Sequence, residues 1–439
     1  MSGSMDNKTR LAVFGALLLV SVLVYEVLLN FAMRTSTFDL FQKSSDGNTS
    51  TNNQSLMATP ILFVQDNAKT TQRENNRTMK QQDPSVMTSA TNDGHDANIT
   101  QMIQWLQERL RLRPDARKYV VDSQCKGPSL WACVDPNCSN QLSNDVTARV
   151  ESLLGSPKTS LTDQQNELIR SLGQQIPESD VILITAASSN HYDESQALLH
   201  NLHQTIYPKL KNFTMVMWDI GLTAKQRQNM EKCCRCLVVS FPFEKFSSSH
   251  RDVRCYMWKP LVIRASLSRA RKYLVWQDAS IRFFNGAHTF FERAQTLGLQ
   301  LMRKDWGEPV AHQTLPEMFD YMNQTHCAFN QYPELMSGIA VFKNEPFVQR
   351  LVVEPWARCA MERYCLCPRD SHRSHYCPKK ATHYGQCHRF DQSALSVITA
   401  TLYQREVYRI LIQNWKKYFQ IARNHQEANY FNSTGCLIN

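Results

Sequence analysis

Val181-Ile-Leu-Ile-Thr185 is the first of four short, almost wholly apolar runs in the chain. The other three are Phe213-Thr-Met-Val-Met-Trp218, Cys236-Leu-Val-Val-Ser-Phe241 and Tyr273-Leu-Val-Trp-Gln277. Helical patterns separate them, at about 194–205, 223–230 and 260–270. Buried strands that alternate with helices are typical of a mostly parallel sheet with right-handed crossovers. The sequence therefore predicts an α/β fold with helices on both faces of the sheet.

The residues that follow these strands are the candidate site, because ligands of open α/β sheets bind beyond the carboxyl ends of the strands. They are Thr185, Ser189 and Asn190 after the first strand, Asp219 after the second, and Asp278, Ser280 and Arg282 after the fourth. No G-x-G-x-x-G follows the first strand, which argues against a dinucleotide oxidoreductase, and no G-x-x-x-x-G-K-S/T occurs.

Trp276-Gln-Asp-Ala-Ser-Ile-Arg-Phe283 is the most informative segment. An acidic residue at the end of a strand, here Asp278, can hold a divalent cation such as Mn²⁺ against a pyrophosphate. Ser280 could add a hydroxyl ligand, and Arg282 could pair with phosphate directly. The alternative is that Asp278 caps a turn and Arg282 forms an ordinary ion pair. Lys259 precedes the helix at about 260–270, whose early turns could face the donor; the alternative is an ordinary surface lysine.

The order of these elements resembles a GT-A glycosyltransferase, nearest to the retaining family that includes glycogenin and bacterial galactosyltransferases. Asp278-Ala-Ser280 stands where that fold carries Asp-x-Asp. Met336-Ser-Gly-Ile-Ala-Val-Phe342 resembles its N-S-G-V strand, and His388-Arg-Phe-Asp-Gln-Ser393 resembles its Asp-Gln segment. The resemblance covers roughly residues 180–405. It implies a nucleotide-sugar donor and places Asp391 and Gln392 beside the transferred sugar or the acceptor, although Asp391 would also suit a helix N-cap.

The chain resembles more closely a group of invertebrate single-pass membrane proteins that carry a domain of unknown function. The segments that carry this resemblance are Thr185-Ala-Ala-Ser-Ser-Asn190, Tyr256-Met-Trp-Lys-Pro260, Trp276-Gln-Asp-Ala-Ser-Ile-Arg282 and residues 347–359. It names no reaction. Against the glycosyltransferase pattern, Ser280 replaces the second acidic residue, so metal affinity should fall. Two outcomes fit: a weak or metal-independent site that uses Arg282 and Lys259, or a domain that has lost catalysis.

Residues 11–33 form an apolar stretch long enough to cross a bilayer, with Lys8 and Arg10 in a short tail at 1–10. All fourteen Cys lie at or beyond Cys125. Eight N-x-S/T sequons also follow the stretch, at Asn48, Asn53, Asn76, Asn98, Asn137, Asn212, Asn323 and Asn432. We therefore expect a signal anchor in the lipid bilayer and a luminal C-terminal portion of type II topology, rather than a cleaved signal peptide. The Golgi membrane enters only through the resemblance, and another secretory membrane remains open.

Residues 34–115 form the predicted stem, and 116–439 the luminal domain. The first part of the stem is polar and poor in aromatics, which favours a flexible segment. Apolar residues at helical spacing then predict a short helix near 99–111. This helix could pair two chains into a homodimer, as the membrane helix could, or it could pack on its own domain. A further helix should begin after Thr162, where Thr162-Asp-Gln-Gln165 fits a capping box.

Cysteine and histidine are dense between 359 and 388. The cysteines are Cys359, Cys365, Cys367, Cys377 and Cys387, and the histidines are His372, His375, His383 and His388. Sulfur and imidazole could bind zinc, but no C-x-x-C pair recurs at finger spacing. In an oxidising compartment this tract is predicted to be an insertion stapled by disulfides.

The net charge of +10 is spread over interleaved basic and acidic residues, which argues against a nucleic-acid partner. The leading hypothesis is transfer of a sugar from a nucleotide-sugar donor, a uridine diphosphate sugar, to a glycan, protein or lipid acceptor. Asp278 would orient the pyrophosphate, residues 185–190 and Asp219 would hold the nucleoside, and Asp391 and Gln392 would contact the sugar. The rival hypothesis is a catalytically inactive, membrane-anchored ectodomain that binds glycans or proteins.

Overall fold

The computed structural model describes residues 93–111, 142–154, 161–303, 308–369, 371, 377–378, 383–423, 429–434 and 436. All of them belong to one unit, which spans Val86–Asn439. The predicted tail and membrane anchor at 1–33, and the stem before residue 93, lie outside the described residues. In the described part of the chain, no helix combines the length and apolar character needed to cross a membrane.

A six-stranded mixed sheet forms the centre of the structure. Its strands are β1 Ser179–Ala187, β2 Phe213–Asp219, β3 Leu237–Ser240, β4 Ala270–Gln277, β6 Leu299–Arg303 and β7 Leu335–Lys343. The spatial order is β3-β2-β1-β4-β7-β6. Strands β1 to β4 are parallel, and β7 runs antiparallel to both β4 and β6. A separate two-stranded ribbon pairs β5 Ile281–Phe283 with β8 Phe419–Ile421. The four predicted strands and the mostly parallel sheet are confirmed.

Helices cover both faces of this sheet. They are α1 Asp93–Arg111, α2 Val146–Leu154, α3 Asp163–Gln174, α4 Tyr192–Thr205, α5 Ala224–Cys233, α6 Trp258–Leu267, α7 His288–Leu297, α8 Pro316–Tyr321, α9 Pro346–Val348, α10 Glu354–Met361, α11 Asp391–Tyr403 and α12 Tyr430–Ser433. Along β1, Ile182 and Ile184 join one core cluster, while Val181 and Leu183 join the other. Because both faces are buried, the strand reads as a nearly continuous apolar run.

Two helices outside the strand-and-helix alternation behave as the sequence indicates. Helix α3 begins after Thr162, which forms a capping box with Gln165. Helix α1 begins at Asp93, earlier than predicted, and buries Met102 and Leu106. Its Arg109 guanidinium lies 4.1 Å from the centre of the Phe347 ring. The apolar face of α1 is therefore used within its own domain, and the alternative that it pairs two chains receives no support.

Disulfide bonds tie the outer segments to this core. The described pairs are Cys233–Cys436, Cys234–Cys236, Cys255–Cys367, Cys359–Cys365 and Cys377–Cys387. Three of them involve the tract at 359–388, as the disulfide interpretation predicts. The ring of His388 is buried and bonded on both sides, accepting from the Leu315 N–H at 3.2 Å and contacting the Leu366 carbonyl at 3.0 Å. Burial lowers its pKa to about 4, so it is a neutral structural residue.

Candidate functional site

Asp278 lies one residue beyond the end of β4, at the carboxyl edge of the sheet. Its backbone N–H donates to the Gly338 carbonyl on β7 at 2.8 Å, and its carbonyl accepts from the Ile281 N–H at 3.0 Å, which forms a turn. The Trp276 indole N–H donates to Oδ1 at 3.0 Å. The side chain is nevertheless 42% exposed. The fold thus fixes this carboxylate while leaving part of it open to solvent.

Lys259, the second residue of α6, connects Asp278 to two other elements. Its Nζ lies 3.2 Å from Asp278 Oδ1, 3.1 Å from Asp391 Oδ2 and 3.2 Å from Ser337 Oγ. The ammonium also lies 4.6 Å from the centre of the Trp276 ring, a cation–π distance. We call Lys259, Asp278, Asp391 and Ser337 the lysine cage. The ammonium donates hydrogen bonds to Asp278 and Ser337 and forms an ion pair with Asp391.

The charges in the lysine cage depend on one another. Burial by itself lowers the pKa of Lys259, but the charges of Asp278 and then Asp391 outweigh it, and the pKa is raised. The side chain is only 3% exposed, so its charge is tolerated only because the carboxylates compensate it. One ammonium between two carboxylates leaves a single negative charge in excess. Removing one partner of such a buried pair typically costs about 3–5 kcal/mol.

Asp391 and Gln392 begin α11, as predicted. Asp391 is its first helical residue rather than the N-cap, because Phe390 precedes it with φ at +52°. The Trp356 indole donates to the Asp391 carbonyl at 2.9 Å and holds this end of the helix. Gln392 Oε1 accepts from the Ser337 N–H at 3.4 Å, while its buried Nε2 has no hydrogen-bond partner among the described residues. The two predicted residues therefore do reach the lysine cage.

Arg282 does not join the lysine cage. Its Nη1 donates to the carbonyls of Ala279 at 2.5 Å and Ile281 at 2.8 Å, and its Nη2 donates to the Glu194 carbonyl at 3.2 Å. With 8% exposure, the guanidinium is committed to the turn after Asp278. This arrangement favours a structural role over the phosphate contact that we expected.

Asp219 and Ser280 are also used within the protein. Asp219 Oδ1 accepts from two backbone N–H groups of the turn after β2, at 2.9 and 2.8 Å, and Oδ2 accepts from Arg227 at 2.9 Å. Ser280 is 9% exposed, and its carbonyl accepts from the Ala422 N–H at 2.8 Å. The nucleoside contact of Asp219 and the metal contact of Ser280 stay predictions that this geometry does not favour.

The loop after β1 divides the remaining predicted residues into a buried part and an exposed part. Thr185 is fully buried within the strand, and its Oγ1 has no hydrogen-bond partner among the described residues. Ser189 and Asn190 are exposed at the edge of the sheet. The Ser189 N–H donates to the Gly221 carbonyl at 2.9 Å, which joins this loop to the turn after β2. Of the three predicted residues, Ser189 and Asn190 are accessible to a ligand and Thr185 is not.

Cationic and aromatic side chains near the lysine cage were missed from the sequence. His191 is exposed and contacts Glu194 Oε2 through Nδ1 at 2.9 Å. The bond to Glu194 raises its pKa, burial partly offsets this, the charges of Glu194 and Asp278 add to the increase, and Arg423 opposes it. Arg423 directly follows Ala422, whose N–H donates to the Ser280 carbonyl. His191 and Arg423 therefore lie in the electrostatic neighbourhood of Asp278.

Tyr256 is the aromatic side chain near the lysine cage that was missed from the sequence. It has left-handed backbone (φ +54°), and its ring centre lies 5.9 Å from that of Phe390. Burial raises its pKa, and the charge of Asp391 adds to the increase. The ring is 37% exposed beside the buried cage. Its segment, Tyr256-Met-Trp-Lys-Pro260, was singled out from the sequence, but no pattern there assigned a role to the tyrosine.

The described side chains do not fit the divalent cation that was predicted on Asp278. Among the described residues, no three or more His, Cys, Asp or Glu side chains come together as metal ligands. The two carboxylates of the lysine cage, Asp278 and Asp391, are already bridged by the Lys259 ammonium. A hard divalent cation needs several oxygen ligands. The site is instead organised around an ammonium ion.

These features define a mixed α/β protein with a mostly parallel central sheet and a charged site at the carboxyl edge of that sheet. A family model described as "Protein of unknown function (DUF1647)" matches residues 141–264. The matched segment includes β1 to β3 and Lys259, but neither Asp278 nor Asp391. No curated protein sequence matches the chain.

Several solved glycosyltransferase structures are similar to the chain at low identity. The galactosyltransferase LgtC with donor and acceptor sugar analogues is 8% identical, with a TM-score of 0.32 over 57% of this chain and 94% of LgtC. Core-mannan synthase A (CmsA/Ktr4) from Aspergillus fumigatus, in a Mn/GDP form, is 10% identical, with a TM-score of 0.31 over 67% and 83% of the two chains. Mouse xyloside xylosyltransferase 1 is 12% identical, with a TM-score of 0.30 over 58% and 93%.

In an active-site mutant of LgtC, the matched part is 59% of that chain, at a TM-score of 0.27. TM-scores this far below 0.5 do not establish function, so the activity has to be inferred from the site itself.

Proposed function

We propose that the chain transfers a sugar from a nucleotide-sugar donor, a uridine diphosphate sugar, to a glycan, protein or lipid acceptor. The observation that carries this proposal is the lysine cage, in which Asp278 at the end of β4 meets Lys259 and Asp391. The carboxyl edge of a mostly parallel sheet is the usual ligand site of α/β proteins. The GT-A-like order of elements in the sequence supplies the reaction class.

The partly exposed carboxylate of Asp278 suits a sugar hydroxyl. Its Oδ1 accepts from Trp276 and from Lys259, while Oδ2 has no hydrogen-bond partner among the described residues. A fixed carboxylate oxygen can accept a hydrogen bond from a hydroxyl of the donor sugar. Gln392 Nε2, the unpartnered donor beside Ser337, would supply a second contact to the sugar. These groups would orient the sugar for transfer.

The diphosphate needs positive charge, which His191 and Arg423 would provide. During transfer the bond between the sugar C1 and the phosphate oxygen breaks, and negative charge collects on the departing nucleotide. The acceptor oxygen bonds to C1 and gives up its proton to the departing phosphate oxygen. Cations beside the departing oxygen stabilise that charge. His191 and Arg423 are exposed, and the charges of Asp278 and Arg423 both act on the His191 imidazole, which supports this role. The sequence resemblance favours retention of configuration.

The experiment measures binding of the donor to the purified full chain by thermal shift and calorimetry, with a panel of uridine diphosphate sugars. Asp278→Asn keeps the shape of the side chain but removes its charge, and we expect it to abolish donor-dependent stabilisation. The matched control is Asp180→Asn, because Asp180 lies near the start of β1, at the opposite edge of the sheet, and pairs with Lys272 at 2.7 Å.

Two results would contradict the transferase. The first is no stabilisation by any nucleotide sugar, and the second is an equal response from Asp278→Asn and Asp180→Asn. Either result would favour the inactive ectodomain that binds glycans or proteins. The fold would then be retained without its reaction.

We also propose that this portion faces the lumen of the Golgi, anchored as a type II protein through residues 11–33. Three sequon asparagines within the described residues, Asn212, Asn323 and Asn432, are exposed, which supports accessibility to the glycosylation machinery. Treatment of the expressed chain with an endoglycosidase should lower its apparent mass. An unchanged mass would contradict luminal exposure.

A further inference from the structure

We propose that the site works without a divalent cation, because the Lys259 ammonium holds the position between Asp278 and Asp391 that such an ion would need. For the identity of the donor this inference rests on the proposed function. Its metal component can be tested with metal alone, in the absence of any donor.

The first argument is the geometry of the ligands. Lys259 Nζ lies 3.2 Å from Asp278 Oδ1 and 3.1 Å from Asp391 Oδ2. The same ammonium lies 3.2 Å from Ser337 Oγ, so it contacts three oxygens that belong to three separate elements. Divalent cations such as Mg²⁺ bind oxygens at about 2.0–2.1 Å and need about six of them. A cation placed between these carboxylates would have to displace the ammonium.

The second argument is the number of oxygens that remain. With Oδ1 of Asp278 engaged by Trp276 and Lys259, only Oδ2 is left on that carboxylate. Asp391 is 5% exposed and is reached from the side of Lys259. One carboxylate oxygen is a weak ligand set, and an ion bound to it would lie close to a buried positive charge. Like charges at such a distance repel one another.

The third argument concerns what the ammonium does for the donor. Without Lys259, two neighbouring carboxylates would repel an incoming diphosphate. The ammonium neutralises one of these two charges and is fixed by its contacts with Trp276 and Ser337. Fixed charges of this kind need no reorganisation when a ligand binds. Lys259 is thus a positioning residue that holds Asp278 in place and balances its charge, while the exposed cations contact the phosphate.

The closing experiment titrates Mn²⁺ alone into the full chain and follows free Mn²⁺ by electron paramagnetic resonance. Wild type should show no Mn²⁺ binding that depends on Asp278. In Lys259→Met the carboxylates lose their ammonium, and Mn²⁺ affinity should rise by about tenfold or more. Lys259→Arg keeps a cation in place and should behave like wild type. Asp180→Asn, a surface carboxylate variant, serves as the background control.

Wild-type Mn²⁺ binding that disappears in Asp278→Asn would overturn the inference, as would a Lys259→Met variant that folds and gains no Mn²⁺ affinity. If Lys259→Met fails to fold, the wild-type and Lys259→Arg titrations still decide the question. A second measurement compares donor stabilisation in EDTA and in Mn²⁺, which we expect to be equal. Stabilisation only with Mn²⁺ would overturn the metal inference alone, whereas its absence in both media would overturn the proposed function.

Discussion

Lys259 and Arg282 are two buried cations on either side of Asp278, and they are satisfied in opposite ways. The Lys259 side chain is 3% exposed, and its ammonium meets two carboxylates and a hydroxyl. Arg282 is 8% exposed, and its guanidinium donates to three backbone carbonyls. From the sequence, Arg282 was a candidate phosphate ligand and Lys259 a candidate contact to the donor. Neither presents a free positive charge to solvent.

Because their partners differ, the two residues have different roles. Lys259 balances the charge of the carboxylates, and Arg282 maintains the backbone shape of the turn after Asp278. Removing Lys259 leaves carboxylates without a counter-charge in a buried place, which is costly and changes what the site can bind. Removing Arg282 leaves carbonyl groups of the turn after Asp278 without donors, which loosens that turn. Variants at Lys259 should therefore alter stability and ligand preference together. Variants at Arg282 should alter stability alone.

The largest expected effect is the loss of stability in Lys259→Met. We expect the free energy of unfolding to fall by about 3–5 kcal/mol, because Asp391 is left buried with an uncompensated charge. Asp391→Asn in the same chain should restore part of the loss, since it removes that charge. Urea unfolding of the two single variants and the double variant measures the coupling. Additive losses would show that the Lys259–Asp391 pair carries no interaction energy.

The second prediction concerns Arg282→Met. It should lower the free energy of unfolding by about 1.5–3 kcal/mol, the range for hydrogen bonds that involve a charged group. Donor-dependent stabilisation of the folded variant should remain. The control is Arg170→Met, because Arg170 is 66% exposed and pairs with Glu167 on the surface of α3, where little change is expected. Loss of donor binding in Arg282→Met without loss of stability would instead indicate that Arg282 contacts the donor.

The fold could be predicted from the sequence because its signals are local. Apolar runs, the polar residues that follow them and the capping box at Thr162 each lie within a few neighbouring positions. Thus Asp278 at the end of β4 was identified from the pattern itself, whereas Asp391 at the start of α11 was identified through the resemblance to the Asp-Gln segment of glycosyltransferases. That their side chains meet through Lys259 depends on how α6 and α11 pack against the sheet, and no local pattern records such packing.

The ligand-binding roles that were predicted for Arg282 and Asp219 were not favoured by the structure for a similar reason. Arg282 and Asp219 follow strands, as ligand-binding residues do, but backbone groups of their own turns satisfy them first. A sequence does not show whether a polar side chain is already hydrogen-bonded. Conversely, His191 and Arg423 gain importance only because the β5–β8 ribbon and the loop after β1 come together near Asp278.

A smaller effect is expected from Gly338→Ala, which perturbs Asp278 without touching Lys259. A Cβ at this position of β7 would lie 3.2 Å from Asp278 Oδ2, so the carboxylate must shift by a few tenths of an ångström. The side chain is partly exposed and can give way, so stability should change little. Donor affinity should fall, because Oδ2 is the oxygen proposed to contact the sugar.

Calorimetry with the preferred donor checks this prediction, and urea unfolding checks that the fold is intact. The Mn²⁺ titration of Gly338→Ala should match that of wild type, since the ammonium stays in place. An unchanged donor affinity would show that Oδ2 lies outside the sugar contact. The comparison between Lys259 and Arg282 would then apply to stability and not to donor binding.

The smallest expected effect concerns His191, an exposed cation. It tests whether His191 contacts the diphosphate, which the buried cations Lys259 and Arg282 cannot reach. The pKa of His191 is raised, chiefly by its bond to Glu194, so the imidazolium persists above the usual value near 6.5 and is lost as pH rises through the raised pKa. The stability that its bond to Glu194 contributes follows the same sign: present at low pH and lost on the alkaline side. If His191 contacts the diphosphate, donor affinity should be higher at about pH 6 than at about pH 8.

Uridine diphosphate sugars suit this test, because their diphosphate keeps the same charge across that range. His191→Gln should flatten the dependence of donor affinity on pH, while Lys259→Arg should leave it intact, because the ammonium and the guanidinium stay charged throughout. His200→Gln is the matched control, because His200 lies on α4, the helix that His191 directly precedes, and its ring lies 4.6 Å from that of Tyr430. An equally steep profile in His191→Gln would assign the diphosphate contact to Arg423 or to another cation. Arg423 would then be the one exposed cation left in the comparison with the buried cations Lys259 and Arg282.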